Sequence, residues 1–187
     1  YYNMDQISMH NDLDGYAVGV TFTPLVEGGD PPFTVLNTYL YTGPNHLKVK
    51  EGQLRHLLKA VQPARYLFLG GDFNFVEDID KDTTSASNAY SLTDGFNKAW
   101  EHFKEHFSLS EIPSDDHTRY DPNGKSSARL DRIYTSFNEV DLALLEPAIL
   151  LPNVSHSTLH VTAHTGKRPR MANENSHSDH IPIHLAY

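Results

Sequence analysis

Several short stretches of this chain carry residues suited to phosphate or metal chemistry. The first is Gly70-Gly71-Asp72-Phe73-Asn74, directly after the all-apolar run Tyr66-Leu67-Phe68-Leu69. Residues two apart on a strand share a face. Asp72 and Asn74 are therefore expected to project together from the end of a rigid strand, with Phe73 in the core. A carboxylate beside an amide can prepare a water and hold a phosphate oxygen. The same residue types also close strands as Asx turns. The second stretch is Ser127-Ala-Arg-Leu-Asp-Arg-Ile-Tyr134. Strand parity puts Arg129 and Asp131 on one face, where an inward Asp needs a partner and an outward Arg–Asp pair contributes little. The third is Ser178-Asp179-His180-Ile181-Pro182. It offers a carboxylate for a cation and an imidazole that a neighbouring carboxylate could hold charged near neutral pH.

The elements that must position these groups are legible from periodicity. Residues 15–22 and 33–40 read as strands joined through the turn Gly28-Gly-Asp-Pro-Pro32, which predicts a hairpin. Apolar residues at 47, 54, 57, 58 and 61 have helical spacing. Tyr66–Leu69, apolar throughout, suits a strand buried on both faces. Phe96, Trp100, Phe103 and Phe107 form a second helical stripe that packs a core. Strands are expected at 130–134, 148–151, 159–163 and 181–185. Residues 77–95, 113–127 and 165–178 read as loops, the last carrying Lys167, Arg168 and Arg170. Strands and helices mix without regular alternation. This predicts two packed mixed β-sheets flanked by helices, a four-layer α/β sandwich, rather than one doubly wound sheet.

Composition narrows the chemistry. The chain has 187 residues, 24 acidic against 15 basic, a formal charge of −9 and no cysteine. Disulfides, thiolate metal sites and a cysteine nucleophile are excluded. A broad basic footprint for passive nucleic-acid binding is absent, although carboxylates that hold a cation against phosphate are compatible with the acidity. No stretch approaches the roughly 18 apolar residues of a membrane span, so no membrane partner is expected. The chain starts Tyr1-Tyr2-Asn3, without a signal peptide or an initiator Met.

Taken in order, Gly-Asp-Phe-Asn, Arg-Leu-Asp-Arg-Ile and Ser-Asp-His resemble the endonuclease/exonuclease/phosphatase superfamily, the DNase I-like fold. Asn37-Thr38-Tyr39, at the end of an earlier strand, resembles it too. The likeness runs from about Gly15 to the end. It implies that Asp72 orients or deprotonates an attacking water and that Asn74 holds a phosphate oxygen. It further implies that Asp179 is a carboxylate close to the metal and that His180 stabilises charge on the scissile phosphate. Asp131 would accept a hydrogen bond from His180, and the Tyr39 hydroxyl would bond the phosphate. The cofactor implied is Mg²⁺, with Mn²⁺ as a substitute. Asn37, Arg129, Lys167, Arg168 and Arg170 are the expected substrate contacts, and DNA is the expected partner.

The chain departs from the family pattern in one respect. Neither an early strand bearing an Asn nor the Gln-Glu pair that supplies the principal metal ligand is found before Gly15. The chain therefore reads as one amino-terminally incomplete domain over residues 1–187. The wording Ser-x-Arg-Leu-Asp-Arg-Ile-Tyr followed by Ser-Asp-His-Ile-Pro is most similar to endonuclease domains of non-LTR retrotransposons and to apurinic/apyrimidinic endonucleases. That branch implies an intracellular setting, nuclear or cytoplasmic, and further domains of a larger polyprotein. It leaves two alternatives open. One is a phosphatase or phosphodiesterase acting on a small phosphorylated molecule or lipid headgroup. The other is an inactive remnant or binding module lacking the metal-ligand Glu.

Overall fold

The computed structural model describes residues 8–9, 15–24, 31–42, 45–84, 92–114, 116–120, 126–143, 149–150 and 183–184. The elements, in chain order, are β1 (Ser8–Met9), β2 (Ala17–Phe22), β3 (Phe33–Tyr39), α1 (His46–Ala60), β4 (Tyr66–Asp72), α2 (Ile79–Asp82) and α3 (Asp94–Phe107). After them come β5 (Ser110–Glu111), β6 (Arg119–Tyr120), β7 (Ser127–Ala128), β8 (Asp131–Thr135), α4 (Glu139–Leu142), β9 (Ile149–Leu150) and β10 (Ile183–His184).

The principal sheet has six strands in the order β1-β2-β3-β4-β8-β5. β2 and β3 form the expected antiparallel hairpin, with Ala17 opposite Thr38 and Phe22 opposite Phe33. β3 and β4 run parallel, which requires a crossover, and α1 supplies it. β4 and β8 are antiparallel. The sheet is thus mixed. β9 pairs with β10, and β6 with β7, as separate two-stranded sheets. The short β6–β7 ladder and α2 lie in stretches expected to be loops. Side-chain bonds do the ordering, local in α2, where Asp78 accepts from Asp80 and Lys81 N–H, and long-range at β7, where Thr83 Oγ1 donates to the Ser127 carbonyl. The expected strand at 159–163 and loop at 165–178 lie outside the described residues.

One face of the sheet carries the core. Alternation along β3 and β4 buries Thr34, Leu36 and Thr38 with Leu67 and Leu69, and α1 and α3 cover them. α1 contributes Leu54 and Leu57, and α3 contributes Phe96, Trp100, Phe103 and Phe107, the stripe that periodicity predicts. Trp100 sits edge-on to Phe73, Phe75 and Tyr134 at 5.3–5.6 Å between ring centroids. The start of α3 is set by Thr93, whose hydroxyl accepts from Phe96 N–H, and its end by Ser108 at φ 53. The run Tyr66–Leu69 is buried on one face only: Leu67 and Leu69 are enclosed, while Tyr66 and Phe68 are half-buried on the other side.

Candidate active site

Strand register assembles the site. Parallel pairing sets Tyr39 opposite Asp72, and antiparallel pairing sets Asp72 opposite Asp131. Residues directly opposite one another on neighbouring strands share a face. Tyr39, Asp72 and Asp131 therefore form one row across β3, β4 and β8. The row lies at the carboxyl ends of the two parallel strands. Asn37 is two residues back along β3 on the same face, opposite Gly70. Tyr39 and Asn37 are exposed, and Asp72 and Asp131 are half-buried. Gly71, just before Asp72, adopts φ +139, and a Cβ there would meet the Thr38 carbonyl oxygen at 1.9 Å. Only glycine permits that approach, which brings Asp72 in line with Tyr39.

Asn74 reaches the site differently from the expectation. β4 ends at Asp72, and Asn74 turns into the left-handed region at φ 54. Its N–H donates to Asp72 Oδ1 at 2.9 Å, an Asx turn. Its Nδ2 donates to the Leu40 carbonyl at 2.8 Å. Strand parity therefore does not govern Asn74, whose side chain is held by the end of β3. Phe73 is buried as expected, and its N–H donates to the Leu130 carbonyl at 2.9 Å. The turn is closed from below by Lys50 of α1, whose ammonium donates to the Asn74 carbonyl. Burial lowers the Lys50 pKa to about 8, against the opposing pull of the Asp72 carboxylate.

Arg129 is not in the row. β7 ends at Ala128 and β8 begins at Asp131, so the parity argument fails across the break. At the break Leu130 and Asp131 N–H both donate to Thr118 Oγ1, at 3.1 and 3.0 Å. Arg129 turns inward instead. Its Nε and Nη2 donate to Asp82 Oδ1 at 2.9 and 2.7 Å, and its Nη1 to Glu111. Arg132 Nη2 donates to Asp82 Oδ2 at 3.0 Å. Glu77 joins the cluster through the Tyr134 hydroxyl and Lys104. Burial opposes ionisation of Asp82, but the Asp78 N–H and the two guanidinium groups overcome it and hold the carboxyl below the usual range. Burial pushes Glu111 up, with the guanidinium groups opposing. The cluster is an internal brace, and a substrate contact from Arg129 is not compatible with it.

The sequence reading missed Lys50 and the brace residues Asp82, Glu111 and Arg132. A signal for Lys50 was present: it lies three residues after Leu47 and four before Leu54, on the apolar stripe of α1. Asp179, His180, Lys167, Arg168 and Arg170 lie outside the described residues, and with them the expected Asp131–His180 bond. Among the described residues no group of three or more His, Asp or Glu side chains is placed to hold a metal. The side-chain donors of the row are all oxygens, the class that a hard divalent cation takes.

No protein-family profile matches the chain, and no curated protein matches it. Solved structures do. The 3′ phosphatase NExo from Neisseria, bound to a product DNA hairpin, aligns at a TM-score of 0.62 and 15% identity, covering 100% of this chain and 72% of that one. An AP endonuclease from Archaeoglobus fulgidus aligns at 0.62 and 15%, covering 97% and 70%. The endonuclease domain of TRAS1, a telomere-specific non-LTR retrotransposon, aligns at 0.52 and 16%, covering 79% and 63%. These likenesses establish the fold: an α/β sandwich of the DNase I-like type, with a mixed sheet and flanking helices.

Proposed function

We propose, with the DNase I-like fold as the starting point, that this chain hydrolyses phosphodiester bonds in DNA as an endonuclease. The observation that carries the reading is the row Tyr39–Asp72–Asp131, three side chains on three adjacent strands at one pole of the sheet. In this reading Asp72 orients the attacking water and takes its proton. The Tyr39 hydroxyl donates to a non-bridging phosphate oxygen. An amide nitrogen carries two N–H donors, so Asn74 can hold Leu40 and a phosphate oxygen together. Asp131 accepts from His180 and fixes the ring that faces the developing negative charge, a support that in hydrolase triads is worth about 10⁴-fold. A divalent cation, with Asp179 among its oxygen donors, supplies electrostatic stabilisation of the phosphoryl group when bound.

The test is nicking of supercoiled plasmid and of an abasic oligonucleotide in the presence of Mg²⁺. Asp72→Asn is expected to lower the rate by about 10²–10⁴-fold, the usual loss of a general base, with the melting temperature nearly unchanged. Undiminished nicking by Asp72→Asn would refute the assignment. The Neisseria 3′ phosphatase motivates a second reading on the same site, removal of a terminal phosphate from DNA. Release of inorganic phosphate from a 3′-phosphorylated end without strand cleavage would favour it. An absence of Mg²⁺-dependent turnover on every phosphate ester tried would point to a binding module.

A further inference from the structure

We propose that Lys50 is a positioning residue that locks the Asp72–Asn74 turn from beneath, and thereby sets the direction in which both side chains face substrate. The inference rests on the reading that Asp72 and Asn74 serve the reaction. It starts from a misfit. Position 50 lies on the buried stripe of α1, where Leu or Met would pack without desolvation cost, and an ammonium there needs compensation. Lys50 is 1% exposed. Among the described residues its hydrogen bond goes to the Asn74 carbonyl and not to a carboxylate. Its ammonium also lies 5.6 Å from the centre of the Phe75 ring, within cation–π range. Lys50 is thus aimed at the turn between the end of β4 and Phe75.

The turn has need of such a lock. A non-glycine residue at φ 54 is held in a sparsely populated conformation and persists only where its surroundings over-determine it. The ladder of β4 stops before Asn74, so its backbone groups need other partners. The N–H is taken by Asp72 Oδ1, the side-chain amide by the Leu40 carbonyl, and the carbonyl by Lys50. Each bond ties Asn74 to a different element: β4, the end of β3, and α1. Removing the ammonium frees the carbonyl, lets the Asn74–Phe75 peptide rotate, and loosens the Asp72 carboxylate, which accepts from the Asn74 N–H on the preceding peptide. The mispositioning of a reacting group by about 1 Å can cost about 10²-fold in rate.

Lys50→Met and Lys50→Arg in the full chain test this. The readouts are the melting temperature, amide hydrogen exchange at Asn74, and kcat and KM separately on nicked DNA product formation. Lys50→Met should stay folded with a melting temperature close to the parent. Its Asn74 amide should exchange about tenfold faster or more, and its kcat should fall by about 10²-fold at similar KM. Lys50→Arg retains a donor and should keep most of the exchange protection and of kcat. Unchanged exchange at Asn74 in Lys50→Met would overturn the proposal, as would a loss of kcat that merely tracks a loss of stability. So would a folded Lys50→Arg no better than Lys50→Met. If the parent chain turns over no phosphate ester, the proposed function fails, yet exchange at Asn74 still decides whether Lys50 locks the turn.

Discussion

At the residue scale, two positions act on the site without belonging to its row. Gly71 tolerates no side chain, because a Cβ would lie 1.9 Å from the Thr38 carbonyl oxygen. Gly71→Ala is expected to cost about 3 kcal/mol or more, from strain at positive φ together with overpacking, read by chemical denaturation. Lys50 has a pH signature. Its pKa is about 8 in the folded protein against the ordinary 10.5. Below about pH 8 both folded and unfolded chains hold the proton, and the full burial cost applies. Between about 8 and 10.5 the folded chain releases it while the unfolded chain keeps it, so stability rises with pH through this window. Tyr134, held protonated well above its ordinary range by burial, and Lys104 titrate in the alkaline range as well. The comparison must therefore be the difference between the parent and Lys50→Met. That stability difference should shift in favour of the parent from pH 8 to 10.5, and a constant difference would contradict the lowered pKa.

At the element scale, the stability of the frame and the chemistry of the row are separable. Thr93 caps α3, which packs on the core face of the sheet, opposite the face that carries the row. Thr93→Ala should cost about 1 kcal/mol, visible in the urea midpoint, with kcat unaltered. The brace of Asp82, Arg129, Glu111 and Arg132 joins α2, β5 and the entry to β8. Asp82 is fully buried and receives both guanidinium groups. Asp82→Ala would take from two buried guanidinium groups the carboxylate they share, leaving Glu111 and Glu77 as their remaining charged neighbours, and breaking a buried pair costs about 3–5 kcal/mol. A melting curve that moves little would show that the brace is not under that load. The elements themselves were largely legible. The β2–β3 hairpin, α1 and α3 follow from alternation, a turn and a helical stripe. The ladder β6–β7 was not, because its two-residue strands lie within a polar stretch that carries no period.

At the scale of the whole molecule, an acidic chain is read as a DNA enzyme, and the charge distribution has a measurable consequence. With a formal charge of −9, attraction to DNA must come from local basic residues. Lys167, Arg168 and Arg170 are the expected contacts. Replacing all three by Ala should weaken binding across sequences and reduce the slope of log K against log salt by about 3, measured by fluorescence anisotropy. An unchanged slope would remove those three residues from the interface. No helix among the described residues is long and apolar enough to cross a membrane.

The residues themselves determined the chemistry on offer: carboxylates, an amide, an imidazole and a phenol near strand ends, with no thiol in the chain. They also determined most local elements, because periodicity and capping act between residues a few positions apart. Tertiary structure alone decided which of these groups meet. Tyr39, Asp72 and Asp131 are separated by tens of residues, and only the pairing of β3, β4 and β8 puts them in one row. The same long-range packing turned Arg129 into the core, set Asn74 in a left-handed turn, and placed the ammonium of Lys50 beneath it. Strand register and buried charge pairing are settled by partners distant in sequence, and no local pattern encodes them.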